Sequence, residues 1–263
     1  MSGPRVIAVA NQKGGTGKST VAVNIAAALG ADGLRVLVVD VDSQADATSM
    51  FGVDPVDHER TLYDVLTGNC ELPDAIAHDV TAGVDLVVGD RRMADVELTL
   101  VGQTMRERYL AGALKDHIGA YDLVLLDCPP NLGLLTVNAF CAAPEVLVVV
   151  SMIDRNAYQG AIAVQRSLAD LRRKDVDVTL TAVLCNIVDP HRSTYQLLRD
   201  ALLGAELPVL EHEVPMRAGF QNAVTVGVPL VVYTPSHPGA DAIRLVAREL
   251  MATHVAPALR KAA

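Results

Sequence analysis

The chain has 263 residues, of which 51% are hydrophobic and 20% charged, and a formal net charge of −9. This balance describes a globular protein able to bury a sizeable core, and it excludes both a disordered polymer and a generally basic nucleic-acid binder. A local cationic patch stays open, but the lysines are only Lys13, Lys18, Lys115, Lys174 and Lys261, so arginine has to build it.

Met1 to Arg5 leads directly into an apolar run of strand type, Val6–Ala10. That leaves no room for a signal peptide and makes a cytoplasmic location the expectation. A glycine-rich turn follows, and Val21–Leu29 reads as a helix. Further strands are expected at Val36–Val39, Val84–Val88, Leu123–Leu126, Val146–Val150 and Leu180–Leu184, with a weaker one near Val209. Between and after them, Gln103–His117, Tyr158–Arg172, Ser193–Leu203 and Ala240–His254 carry helical patterns. Continuous apolar strands alternating with helices predict an α/β fold, with a mostly parallel central sheet covered by helices on both faces. No linker or repeat divides the chain, so the expectation is one domain over 1–263, with a core of about 5–254 and a short tail, 255–263. Cys70, Cys128, Cys141 and Cys185 form no CxxC pair and read as small buried thiols.

The chemistry concentrates at the carboxyl ends of three predicted strands, where open α/β sheets collect ligands. The first strand delivers Lys13-Gly14-Gly15-Thr16-Gly17-Lys18-Ser19-Thr20. Its glycines let backbone amides approach phosphate oxygens, and the following helix presents its positive end. The ordinary Walker A spacing asks for glycine at position 12, where this chain has Gln12; Lys18 fills the usual lysine slot and Lys13 is surplus. The second strand ends in Asp40-Val41-Asp42, and the fourth in Asp127-Cys128-Pro129-Pro130. Such carboxylates suit Mg2+, a hard cation that takes oxygen ligands and keeps several waters. Ser19 is the expected direct ligand, Asp127 the holder of a metal-bound water, and Asp40 a more remote partner. Asp42 reaches past its strand and is assigned to orient the attacking water, while Lys18 bridges the terminal phosphates and Gly14 to Thr20 grip them. Thr48 and Asn131 read as plain caps outside the chemistry.

With these residues assembled, the chain resembles the ParA/MinD group of deviant Walker ATPases, and within it the small Soj-like ParA proteins. The resemblance rests on Lys13 to Ser19, on Asp40-Val41-Asp42-Ser43-Gln44-Ala45-Asp46-Ala47-Thr48 against the pattern DxDPQGNAT, on Asp127-Cys128-Pro129-Pro130, and on Tyr233 to Ala240. It implies ATP and Mg2+ as cofactors and an ATP-dependent nucleotide-sandwich homodimer in which Lys13 reaches the partner's phosphates. It also implies nonspecific double-stranded DNA and a ParB-like adaptor as partners, cytoplasmic location on the nucleoid, and adenine recognition by Asn186, Pro215 and Met216.

The departures lie at Ser43, Ala45 and Asp46, where the pattern has proline, glycine and asparagine, and in Ser151 to Gly160, which runs one residue long. The expected DNA-binding cations are displaced, leaving Arg192, Arg199 and Arg217 as candidates, with Arg172, Arg173 and Lys174 as a further cluster. A MinD-like membrane ATPase is the alternative. Its basic amphipathic tail is poorly matched by Met251 to Lys261, which contains Pro257 and two cations, so stable membrane binding is not expected.

Overall fold

The computed structural model describes residues 3–253. In chain order the strands are β1 (Arg5–Ala10), β2 (Val36–Asp40), β3 (Ile76–Thr81), β4 (Val84–Val87), β5 (Leu123–Asp127), β6 (Glu145–Ser151) and β7 (Thr179–Asn186). The helices are α1 (Lys18–Ala31), α2 (Asp46–Met50), α3 (Leu62–Leu66), α4 (Val96–Thr99), α5 (Tyr109–Lys115), α6 (Leu134–Ala142), α7 (Ala157–Arg172), α8 (Tyr195–Gly204), α9 (Ala218–Val226), α10 (Leu230–Tyr233) and α11 (Pro238–Ala252).

All seven strands join one sheet in the order β3-β4-β2-β5-β1-β6-β7. Every neighbouring pair is parallel except β3 and β4, which form an antiparallel edge. Because successive side chains of a strand point to opposite faces, β1 feeds two cores. Ala8 and Ala10 join one with Leu62, Leu110, Phe140, Val164 and Leu202, while Ile7 and Val9 join another with α1, Leu230, Ile243 and Val246. The long apolar strands are buried on both sides, as expected for a sheet covered by helices on each face.

The structure differs from expectation at the margins. β3 was not foreseen, because Ile-Ala-His-Asp-Val-Thr is half polar and lies on an edge exposed to solvent. The helix expected over Gln103–His117 is only Tyr109–Lys115, preceded by a tight turn at Arg106–Arg108; Met105 takes a left-handed φ of 53, which no continuing helix allows. The weak strand near Val209 is a single bridge to Val183. The last helix starts two residues early, at Pro238, where a fixed φ suits the first turn. His254 and the tail 255–263 lie outside the described residues, as does most of the stretch weighed against a membrane-binding tail. Among the described residues, no helix is long and apolar enough to cross a membrane.

Arg5 ties the two ends of the described chain together. Its guanidinium pairs with Glu145 through both carboxylate oxygens, at 2.8 and 2.6 Å, and donates to the carbonyls of Leu250 at 2.6 Å and Thr253 at 2.9 Å.

Candidate nucleotide and metal site

β1 lies between β5 and β6, so the chain leaves the sheet on opposite sides around its carboxyl end. The loop Asn11 to Gly17 fills that crevice and hands over to α1 at Lys18. Gly17 has φ 84, and a Cβ there would sit 2.3 Å from Asn186 Nδ2, so only glycine fits. Asn186 donates that amide to the Thr16 carbonyl at 2.7 Å, and Lys13 places its ammonium 2.6 Å from Asp154 Oδ2.

A cleft of about 600 Å³ opens above the loop. Gly14, Gly15, Gly17, Lys18, Ser19 and Thr20 line one wall together with Asp42, Asn186 lies against the loop, and Pro215, Met216 and Arg217 line the second wall. The second wall is held by the Met216 amide donating to the Val188 carbonyl at 2.9 Å, which carries Pro215 and Met216 past the end of β7. Thus the glycine-loop residues, Asp42, which was expected to orient water, and the three residues expected at adenine meet in one cavity. Asn186 is buried at the edge of the cleft, with its amide nitrogen engaged by the Thr16 carbonyl.

Asp40 and Asp127 sit opposite each other in the register of β2 and β5, both fully buried. Asp40 Oδ2 accepts two bonds from Thr48, from its amide at 2.8 Å and its hydroxyl at 2.7 Å. Burial nevertheless pushes Asp40 up to about 7, with the Asp42 charge adding to the effect and the Thr48 bonds opposing it. Asp127 is held well above the usual carboxylate range by burial and then by Asp40, while Ser19 and Lys18 offset part of the rise.

Neither oxygen of Asp127 has a hydrogen-bond partner; the Ser19 hydroxyl is near without reaching bonding geometry. Burying a neutral polar group without a partner costs about 2–7 kcal/mol by transfer measures and an ionised carboxylate far more, so Asp127 is held toward its protonated form here and its ionised form would need a cation beside it. The site's donor set of hydroxyl and carboxylate oxygens fits Mg2+. Among the described residues no group of three His, Cys, Asp or Glu side chains could form an all-protein cage.

Thr48 is therefore more than a cap: it orients Asp40, and its hydroxyl also accepts from the Gly89 amide at 3.0 Å. The available signal was its place in the same nine-residue motif as Asp40. Asn131 behaves as a local turn former, accepting from the Gly133 amide at 2.8 Å. Asp154 and Asn11 were also missed: nothing in the sequence places Asp154 beside Lys13, whereas Asn11, two residues before Lys13, offered a local turn signal that went unread.

The arginine candidates separate. Arg199 forms an ion pair with Glu213, which also accepts from Tyr195, and this removes it from the set of free cations. Arg192 is exposed and lies 3.7 Å from Asp189. Arg217 is exposed at the start of α9 and borders the cleft.

A family model described as an AAA domain matches residues 4–180, which covers the loop and both aspartate-bearing strand ends. The sporulation initiation inhibitor protein Soj of Bacillus subtilis is 31% identical over 94% of this chain and 98% of its own length. The chain belongs to the ParA/MinD family of ATPases. The chromosome partitioning protein ParA of Caulobacter vibrioides is 33% identical over 94% of each chain. Among solved structures, cobyrinic acid a,c-diamide synthase from Mycobacterium smegmatis with bound ADP and magnesium superposes with a TM-score of 0.81, at 33% identity over 94% of each chain. The family therefore spans partition proteins and a synthase, and the fold alone does not choose between them.

Proposed function

We propose that this family member is a ParA-type positioning ATPase acting as a single domain over 1–263. In this reading it binds ATP with Mg2+, dimerises around the nucleotide, and associates with nonspecific double-stranded DNA on the nucleoid in the cytoplasm. A ParB-like adaptor on the cargo then stimulates hydrolysis to ADP and phosphate. The observation that carries the reading is the unpaired buried Asp127 beside Ser19 and Lys18, at the foot of a loop that carries a second lysine.

The amides of Gly14 to Thr20 bind phosphate oxygens, and Lys18, the first residue of α1, balances their charge. Ser19 and Asp127 would hold Mg2+, with Asp40 behind them; the ion supplies positive charge to the phosphates when bound. Asp42 borders the cleft and is braced by the Gln44 amide at 3.1 Å, a placement suited to orienting water for attack on the terminal phosphorus. Lys13 is about one-third exposed at its side chain. Exchange of Asp154 for a partner subunit's phosphate would therefore cost little, because a solvent-accessible ion pair contributes at most about 1 kcal/mol. Arg192 and Arg217 are the cations offered to DNA.

The test is ATP-dependent DNA binding as a function of salt, run beside light scattering for dimerisation. Binding that needs ATP and falls steeply with ionic strength is expected. Lys13→Ala is expected to bind nucleotide but stay monomeric. ATP-bound dimers that ignore DNA at low salt would overturn the partition reading, and a Lys13→Ala protein that dimerises normally would overturn the cross-subunit role.

A further inference from the structure

Asn11 follows β1 directly, and its side chain is buried, with the residue 1% exposed. Its Oδ1 accepts from the Lys13 amide at 3.1 Å, and its Nδ2 donates to the Val149 carbonyl of β6 at 2.7 Å. The orientation of this amide is forced, since a backbone N–H can only donate and a carbonyl can only accept. On its remaining side lies Gly160 of α7, where a Cβ would fall 2.4 Å from Asn11 Oδ1 and 3.3 Å from its Cγ. The turn between β6 and α7 also carries Asp154, which holds the Lys13 ammonium and accepts from the Asn156 amide at 2.9 Å.

Lys13 is thus anchored twice to the β6–α7 unit, through its backbone by way of Asn11 to Val149 in β6, and through its side chain by way of Asp154 in the turn that follows. Gly160 does not border the cleft, yet it sets the space in which the Asn11 amide stands. We infer that Asn11 is a positioning residue that couples the phosphate loop to the β6–α7 junction, so that the seat of α7 against Gly160 and the conformation of the loop at Lys13 change together. The inference rests on the nucleotide-site reading above for its consequence, but the coupling itself is a property of the protein without nucleotide.

The deciding comparison is a double-mutant cycle of Asn11→Ala and Gly160→Ala. A merely structural view expects Gly160→Ala to be harmless or stabilising, because alanine is the better helix former. The coupling expects the new methyl to push on the Asn11 amide and loosen the loop. Two readouts are used: amide hydrogen exchange of the peptide spanning residues 11–17 without nucleotide, and affinity for a fluorescent ATP analogue with Mg2+.

Each single variant is expected to exchange faster over the loop and to bind about tenfold more weakly, the equivalent of one lost buried hydrogen bond. The double variant is expected to match Asn11→Ala alone, since the methyl then has no amide to strike. Wild-type exchange and affinity in Gly160→Ala would overturn the coupling. So would a lowered melting temperature with loop exchange unchanged, or strictly additive effects in the double variant. Exchange needs no ligand, so a wild-type protein that failed to bind the analogue would sink the functional reading while the exchange arm still decided the coupling.

Discussion

Asp40 gives the sharpest test of the site's electrostatics. Its carboxyl is pushed from 3.8 to about 7 by burial first, then by the Asp42 charge. A folded-state value above the unfolded one means the folded protein holds the proton longer. The resulting stabilisation is complete below about pH 4 and is lost as pH climbs through about 7. The whole shift corresponds to roughly 4 kcal/mol. Between about pH 6 and about pH 8 the unfolded carboxyl is already ionised, while the folded one goes from mostly protonated to mostly charged. Asp40 alone therefore costs about 1.4 kcal/mol over that interval.

Asp40→Asn cannot titrate, and its side-chain oxygen can still accept both Thr48 bonds. It also relieves Asp127, which Asp40 helps to hold high, so the flattening is at least this large. Urea unfolding of the metal-free protein at the two pH values measures it directly. Wild type is expected to lose at least about 1.4 kcal/mol more than Asp40→Asn, and added Mg2+ is expected to shrink the wild-type loss, since a cation favours the ionised carboxylates. Parallel pH dependence in the two proteins would refute the reasoning.

Thr48→Val keeps the volume but removes the hydroxyl that donates to Asp40 and accepts from Gly89. It should lower unfolding free energy by about 2–4 kcal/mol, and Thr48→Ser by only about 1, in the same urea experiment. Gly17→Ala forces a side chain onto φ 84 and into Asn186, and it should weaken binding of a fluorescent ATP analogue by at least about tenfold. Near-normal binding by that variant would show that the loop relaxes freely, contrary to the tight fit described above.

The legible parts of the fold were those where one physical signal dominates. β1, β2 and β5 are apolar runs, the first leading into the glycine turn and the other two ending in aspartate, and the sheet order then brings Lys18, Asp42 and Asp127 to one end. α6 was invisible because Leu134–Ala142 is apolar on nearly every side, which erases the helical period. α9 was hidden in a stretch read only for its motif residues. Ala45 was recognised as a departure, but not that it adopts a left-handed φ of 52, the conformation that the pattern's glycine supplies without strain. Asp154 carried no local signal, because Lys13 is met only when β6 pairs with β1, and the same pairing brings Val149 to Asn11, whose bond to the Lys13 amide two residues on is local.

The stitch made by Arg5 bears on how the protein is born. β1 is synthesised first, yet its sheet partners are β5 and β6, and Arg5 waits for a glutamate 140 residues away and a carbonyl 245 residues away. A nascent chain leaving the ribosome therefore displays the nucleotide loop on a strand with no neighbours. Contacts this remote in sequence form slowly and leave bare strand edges exposed meanwhile. The nucleotide loop therefore gains its final setting only after β5 and β6 have joined β1.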